Sequence, residues 1–132
     1  MLRHLGSDHA LVVHGADGMD EISHSAETRV SELRNGEVTT YLINAEEFGI
    51  PRGTVSEILG GSAEENASVL LAVLEGRKGA PRDVVLLNAG AAIFVGGVAR
   101  SLGEGVEAAS DSIDSGRARR KLRDLVDASH SR

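Results

Sequence analysis

The 132-residue chain has no cysteine and no tryptophan, and its aromatic residues are Tyr41, Phe48 and Phe94 alone. Without cysteine there is neither a disulfide framework nor thiolate chemistry, which fits a reducing cytoplasm. With so few rings, a core must be assembled from Leu, Val, Ile and Ala. Long apolar runs are missing as well. Residues 84–99 form the most apolar region, but Asn88 and three glycines interrupt it, and it falls short of the roughly 18 residues that a membrane helix needs. The N-terminus lacks the sustained apolar stretch of a signal peptide. Nor is positive charge in excess: the net charge is −6. That balance disfavours a phosphate-backbone binder, because nucleic acid is repelled. Arg117, Arg119, Arg120, Lys121 and Arg123 crowd one segment, where they read as the solvated face of an amphipathic helix. The expectation is a cytoplasmic protein that engages neither nucleic acid nor membrane.

What is present suggests one α/β domain. Residues 10–13 are a short apolar run before a glycine-rich turn, the pattern of a fully buried strand, read here as parallel. Residues 28–33 alternate polar and apolar, Asn35-Gly36 is a hairpin turn signal, and residues 37–43 are rich in β-formers, so a β-hairpin is expected. Pro51 and two glycines make residues 46–53 irregular. Ser62 and Glu65 spell a capping box before a helix that carries Ala67, Leu70, Leu71 and Leu74 and stops at Gly76. Residues 79–81 read as a turn and 84–99 as a helix buried on several sides. Ser101 and Glu104 spell a second capping box; Leu102, Val106, Ala109 and Ile113 share one face of the helix that follows. Ser115 is expected to cap a last helix with Ala118, Leu122, Leu125 and Val126 as its apolar stripe, fraying over 129–132. A lone parallel strand cannot satisfy its own backbone, so the chain reads as part of a larger fold.

The chemistry concentrates in residues 14–23, "HGADGMDEIS", where Asp17, Asp20 and Glu21 follow the first strand. Adjacent carboxylates repel, and a divalent cation offsets that repulsion. Magnesium is usually held by one or two carboxylates, with water and substrate phosphates completing its shell. An acidic surface turn is the competing reading of the same residues. His4, His9 and His14 match no zinc spacing; His14 borders the loop, whereas His24 and His130 read as exposed. Gly60-Gly61 precedes a helix but lacks the Lys-Ser/Thr of a nucleotide-binding loop, so a tight turn suffices. Asn88, within the apolar helix, is expected to be buried against an internal partner.

Four stretches in this order, "ALVVHGADGMDEIS", "TRVSEL", "YLINAEEFGI" and "LGGSAEENASVLLAVLEGRKGAPRDVVLLNAGAAIFVGGVARSLGEGVEAASDSIDSG", resemble the C-terminal portion of the anthranilate phosphoribosyltransferase family, within the nucleoside phosphorylase/phosphoribosyltransferase superfamily. The resemblance implies that residues 1–132 are the C-terminal portion of a glycosyltransferase-family-3-type catalytic domain: one buried strand, a β-hairpin and three to four packed helices. It implies transfer of the phosphoribosyl group of phosphoribosyl pyrophosphate to anthranilate, releasing pyrophosphate, the second step of tryptophan biosynthesis. It matches Asp20 and Glu21 to the family's magnesium ligands and assigns no nucleophile or general base in this chain. The family's Gly-Thr-Gly-Gly-Asp and Lys-His-Gly-Asn segments, its anthranilate-contacting arginine and its N-terminal helical domain, through which members usually form homodimers, have no counterpart among these residues. Gly90 stands where the family generally has alanine. The expectations are therefore a part of such an enzyme that is inactive by itself or, as alternatives, a pyrimidine-nucleoside phosphorylase-like relative or a non-catalytic binding or structural paralogue.

Overall fold

The computed structural model describes residues 1–130. Asn35 and Gly36 adopt left-handed φ angles of 52° and 80°, the geometry a two-residue hairpin turn requires. They join β2 (Thr28–Arg34) to β3 (Glu37–Ile43) in antiparallel register, Val30 opposite Tyr41. The first strand, β1 (His9–Gly15), pairs antiparallel with the other side of β2, Val13 opposite Val30, so the sheet order is β1-β2-β3.

This pairing corrects the expectation of a fully buried parallel strand. β1 is an edge strand and Val12 is 58% exposed. A short apolar run does not by itself reveal whether one or both faces are covered. Side chains alternate across the sheet. Leu11, Val13, Val30, Tyr41 and Ile43 pack toward the core, while Val12, Val38 and Leu42 are left exposed on the other face. On the covered side the Tyr41 hydroxyl donates to Glu32 at 2.8 Å, and the His9 ring lies 2.9 Å from the same carboxylate.

Ser62 caps α1 (Ala63–Leu74) as expected: its hydroxyl accepts from the Glu65 amide, and the Glu65 carboxylate accepts from the Ser62 amide. Left-handed Gly76 follows the helix. The next helix, α2 (Ala80–Val95), begins four residues earlier than expected and ends four earlier. Pro81 belongs to its first turn, where a missing N–H costs no intrahelical bond. Gly97, at φ 74°, closes its far end. Ser101 caps α3 (Leu102–Asp114), but the Glu104 side chain accepts from the Arg100 amide instead of that of Ser101, so only half of the second box forms. Ser115 ends α3, and left-handed Gly116 separates it from α4 (Arg117–His130). α4 keeps its helix through Ser129 and His130, two of the residues expected to fray; the other two, 131 and 132, lie outside the described residues.

α2 and α3 form the tightest helix pair. The Arg82 guanidinium, 1% exposed, ties them by donating to Ser110 and Asp114, each at 2.9 Å. Leu86, Leu87 and Ala91 of α2 and Val106, Ala109 and Ile113 of α3 join the sheet in one core. The basic cluster of α4 faces solvent, with Arg119 paired to Glu75 at 2.9 Å and Lys121 to Asp124 at 3.0 Å. No helix among the described residues is long and apolar enough to cross a membrane.

Candidate metal-binding loop

Residues 16–27 connect the two antiparallel strands β1 and β2. The Ala16 amide donates to the Glu27 carbonyl at 2.8 Å and holds the loop's ends together. Within it, the Gly15 amide donates to the Met19 carbonyl and the Gly18 amide to the Gly15 carbonyl, both at 2.9 Å. Gly18, at φ 93°, allows that turn.

Asp17 belongs to the turn itself. Its carboxylate accepts from the Ser23 and Ser25 hydroxyls and from the Met19 amide. Partial burial pushes its pKa up, but these hydrogen bonds outweigh that and hold the carboxyl below the usual range. With its oxygens committed to the loop, Asp17 leaves Asp20 and Glu21 as the candidate ligands. They differ in setting. Asp20 is exposed, whereas Glu21 is half-buried and stands at the rim of a groove of about 520 Å³. That groove runs between the 3-10 turn Val55–Ile58, α1 and α2, with Leu70, Leu74, Val84 and Val85 among its apolar walls.

Among the described residues, no donor or basic group hydrogen-bonds or pairs with either Asp20 or Glu21. Burial, and after it the charge of Asp20, raises the pKa of Glu21. The repulsion implied by the adjacent acids is thus a property of the folded chain, and no side chain among the described residues answers it. Two uncompensated oxygen donors of this kind fit a hard divalent cation such as magnesium. No cluster of three or more His, Asp or Glu suited to a metal occurs among the described residues. A cation here would draw two ligands from the protein and the rest of its shell from water or phosphate.

Immediately after Glu21, the chain turns inward. Ile22 is 1% exposed in the core. Its amide donates to Asn88 Oδ1 at 2.8 Å, and its carbonyl accepts from Asn88 Nδ2 at 3.0 Å. Asn88 therefore has the internal partner expected of it, although it is half-buried and not buried as expected. The next amide, of Ser23, donates to Thr28 Oγ1 at 3.0 Å.

The other sequence candidates lie apart from the acidic pair. His14 is exposed on β1, on the same side of the sheet as Val12. Gly60-Gly61 is a self-contained turn: Asn66 accepts from the Gly61 amide at 2.9 Å and donates to the Gly61 carbonyl at 3.2 Å. His24 overturns its expected exposure. It is 1% exposed, and neither ring nitrogen has a hydrogen-bond partner. Its carbonyl accepts from the Gly53 amide at 3.0 Å, and a Cβ on Gly53 would fall 2.5 Å from the ring. That glycine, in a stretch read only as irregular, was the one sequence signal for a close approach of this kind.

A sheet of three antiparallel strands backed by helices, with a paired-acid loop at one end, defines an α/β unit whose loop offers two carboxylates to a cation. The chain belongs to the glycosyl transferase family, a/b domain, which matches residues 1–119. It is 49% identical over 124 residues to the anthranilate phosphoribosyltransferase of Methylobacillus flagellatus, covering 94% of this chain and 36% of that protein. The fold is similar to that of anthranilate phosphoribosyltransferase from Thermus thermophilus, with a TM-score of 0.85 and 39% identity over 95% of this chain and 36% of that one. It is also similar to the Saccharomyces cerevisiae anthranilate phosphoribosyltransferase in complex with PRPP and Mg, with a TM-score of 0.79 and 28% identity over 89% of this chain and 34% of that one. The chain spans a little over a third of the length of the curated relatives it matches.

Proposed function

We propose that these residues are the C-terminal portion of an anthranilate phosphoribosyltransferase-type catalytic domain and contribute its magnesium ligands, Asp20 and Glu21. The substrates on this reading are phosphoribosyl pyrophosphate and anthranilate, the products are phosphoribosylanthranilate and pyrophosphate, the pathway is tryptophan biosynthesis and the compartment is the cytoplasm. The observation that carries it is the adjacent pair of uncompensated carboxylates on a braced loop, in a chain about half identical to enzymes of that name.

Magnesium, when bound, supplies positive charge that neutralises a diphosphate. The work of this chain is to hold it. Asp20 presents an exposed carboxylate, and Glu21 presents one at the groove's edge. The hydrogen bonds of Asp17 keep the loop closed behind them. Catalysis of this kind is charge stabilisation and positioning. No residue of this chain is assigned as nucleophile, general base or diphosphate cradle.

The test is a phosphoribosyl-transfer assay on the purified 132-residue chain, alone and mixed with a polypeptide carrying the preceding two-thirds of a family member. The expected result is no turnover alone and measurable turnover on mixing, lost with Glu21→Gln. Turnover of anthranilate by the chain alone, or turnover in the mixture indifferent to Glu21→Gln, contradicts the reading.

A further inference from the structure

We infer that Asn88 is the positioning residue of the acidic pair: its carboxamide on α2 clamps the main chain at Ile22 and thereby fixes how Asp20 and Glu21 are presented. The inference rests on the metal-ligand role proposed above.

Two neighbouring carboxylates that repel each other drift apart unless the backbone beneath them is held. The loop is held by side chains. Asn88 Oδ1 accepts from the Ile22 amide at 2.8 Å, and Nδ2 donates to the Ile22 carbonyl at 3.0 Å. The amide half of this clamp belongs to the peptide unit that joins Glu21 to Ile22, so locking it fixes the backbone torsion from which the Glu21 side chain departs. The second Nδ2 hydrogen goes to the Val84 carbonyl, one turn back on the same helix, at 3.0 Å. Both amide hydrogens are thus used, and the orientation of the group is determined: turned over, it would set N–H against N–H at Ile22. A side chain on a rigid helix here does what a neighbouring strand would do for an extended chain. No aliphatic residue can replace it, because both polar groups of Ile22 would lose their partner.

The role differs from that of the core around it. The Ile22 side chain anchors the loop by burial, but burial is non-directional and does not set a peptide plane. The clamp does, one bond away from a candidate ligand. Groups that orient metal ligands in this way commonly contribute about 10–100-fold to metal affinity.

The test uses the ¹⁵N-labelled 132-residue chain with Mn²⁺ alone as the probe. Three variants are compared with the parent: Asn88→Ala, Asp20→Asn and, as a core truncation elsewhere, Ile113→Val. Amide exchange and paramagnetic broadening are read by NMR, free Mn²⁺ by electron paramagnetic resonance, and folding by thermal melts. In the parent chain, Mn²⁺ should broaden the amides of residues 20–22, and the Asn88 carboxamide protons should exchange slowly. Asn88→Ala should accelerate exchange of the Ile22 amide and weaken Mn²⁺ binding about 10-fold or more, while the Val30 and Leu33 amides keep their protection. Ile113→Val should lower the melting temperature and change neither readout.

Unchanged Mn²⁺ affinity in a folded Asn88→Ala chain, with Asp20→Asn abolishing binding, overturns the positioning role and leaves the metal reading standing. Binding that survives Asp20→Asn overturns both. If Asn88→Ala does not fold, the parent chain still decides: rapid exchange of the Asn88 carboxamide, or broadening remote from residues 20–22, refutes the inference.

Discussion

Gly90 on α2 and Gly105 on α3 meet backbone to backbone. A Cβ on Gly90 would fall 2.7 Å from the Val106 nitrogen and 2.8 Å from its Cα, and a Cβ on Gly105 would overlap the Gly90 carbonyl. The obstacles are main-chain atoms, which cannot swing aside. By composition alone Gly90 is a weakness in a helix, about 1 kcal/mol worse than alanine. In the fold it is the point at which two helices approach closely enough to share a core.

Gly90→Ala and Gly105→Ala should therefore each destabilise the chain despite the better helix former. Overpacking of this kind costs about 1–3 kcal/mol, which exceeds the propensity gain. Thermal or urea unfolding measures it. A rise in melting temperature for Gly90→Ala would show that the helices separate at no cost.

Tyr41 is the chain's only tyrosine and tryptophan is absent, so its titration is directly visible in the near ultraviolet. Burial, then the hydrogen bond to Glu32 and the charge of that carboxylate, push its pKa up to about 12. The folded state keeps the phenolic proton after the unfolded chain has lost it. Stability should fall as pH rises from about 10, the unfolded value, toward 12. Tyr41→Phe should remove that dependence. A phenol titrating near 10 in the folded chain would show that the Tyr41–Glu32 contact is not maintained.

Glu21 should destabilise the metal-free fold. Its pKa is raised, first by burial and then by Asp20, so the folded state resists its ionisation. The penalty is absent at acid pH, where the carboxyl is protonated in both states, and appears as pH rises through the unfolded and then the folded value. Glu21→Gln should raise neutral-pH stability without metal by less than about 1 kcal/mol, because the half-buried group is still screened by solvent. The gain should vanish in acid. Loss of stability at neutral pH would mean that Glu21 is a structural anchor and not a strained ligand.

Local chemistry made parts of this fold legible. Asn35-Gly36 announced the hairpin, and Ser62 with Glu65 announced the start of α1, because each signal depends only on residues within a turn of one another. The orientation of β1 was not legible: its neighbour is set across a loop of a dozen residues, and "ALVV" suits a covered strand and a half-covered edge alike. The start of α2 was misplaced because Gly79 and Pro81 read as a turn, although proline is at home in a helix's first turn. In the candidate loop, residue type pointed to three acids, but only tertiary geometry separates Asp17, engaged by Ser23 and Ser25, from the uncompensated Asp20 and Glu21. His24 reads as exposed in the sequence because its burial depends on Gly53, 29 positions away.

On the function proposed above, Asp20 and Glu21 stand together because a hard cation binds them. The most direct measurement is a Mn²⁺ titration of the 132-residue chain by electron paramagnetic resonance, alongside Asp20→Asn and Glu21→Gln. The expected result is weak binding of one ion to the parent chain, since two carboxylates supply only part of a coordination shell, and loss of that binding in both variants. Equal binding by all three chains, or none by the parent at any concentration that leaves it folded, would contradict it.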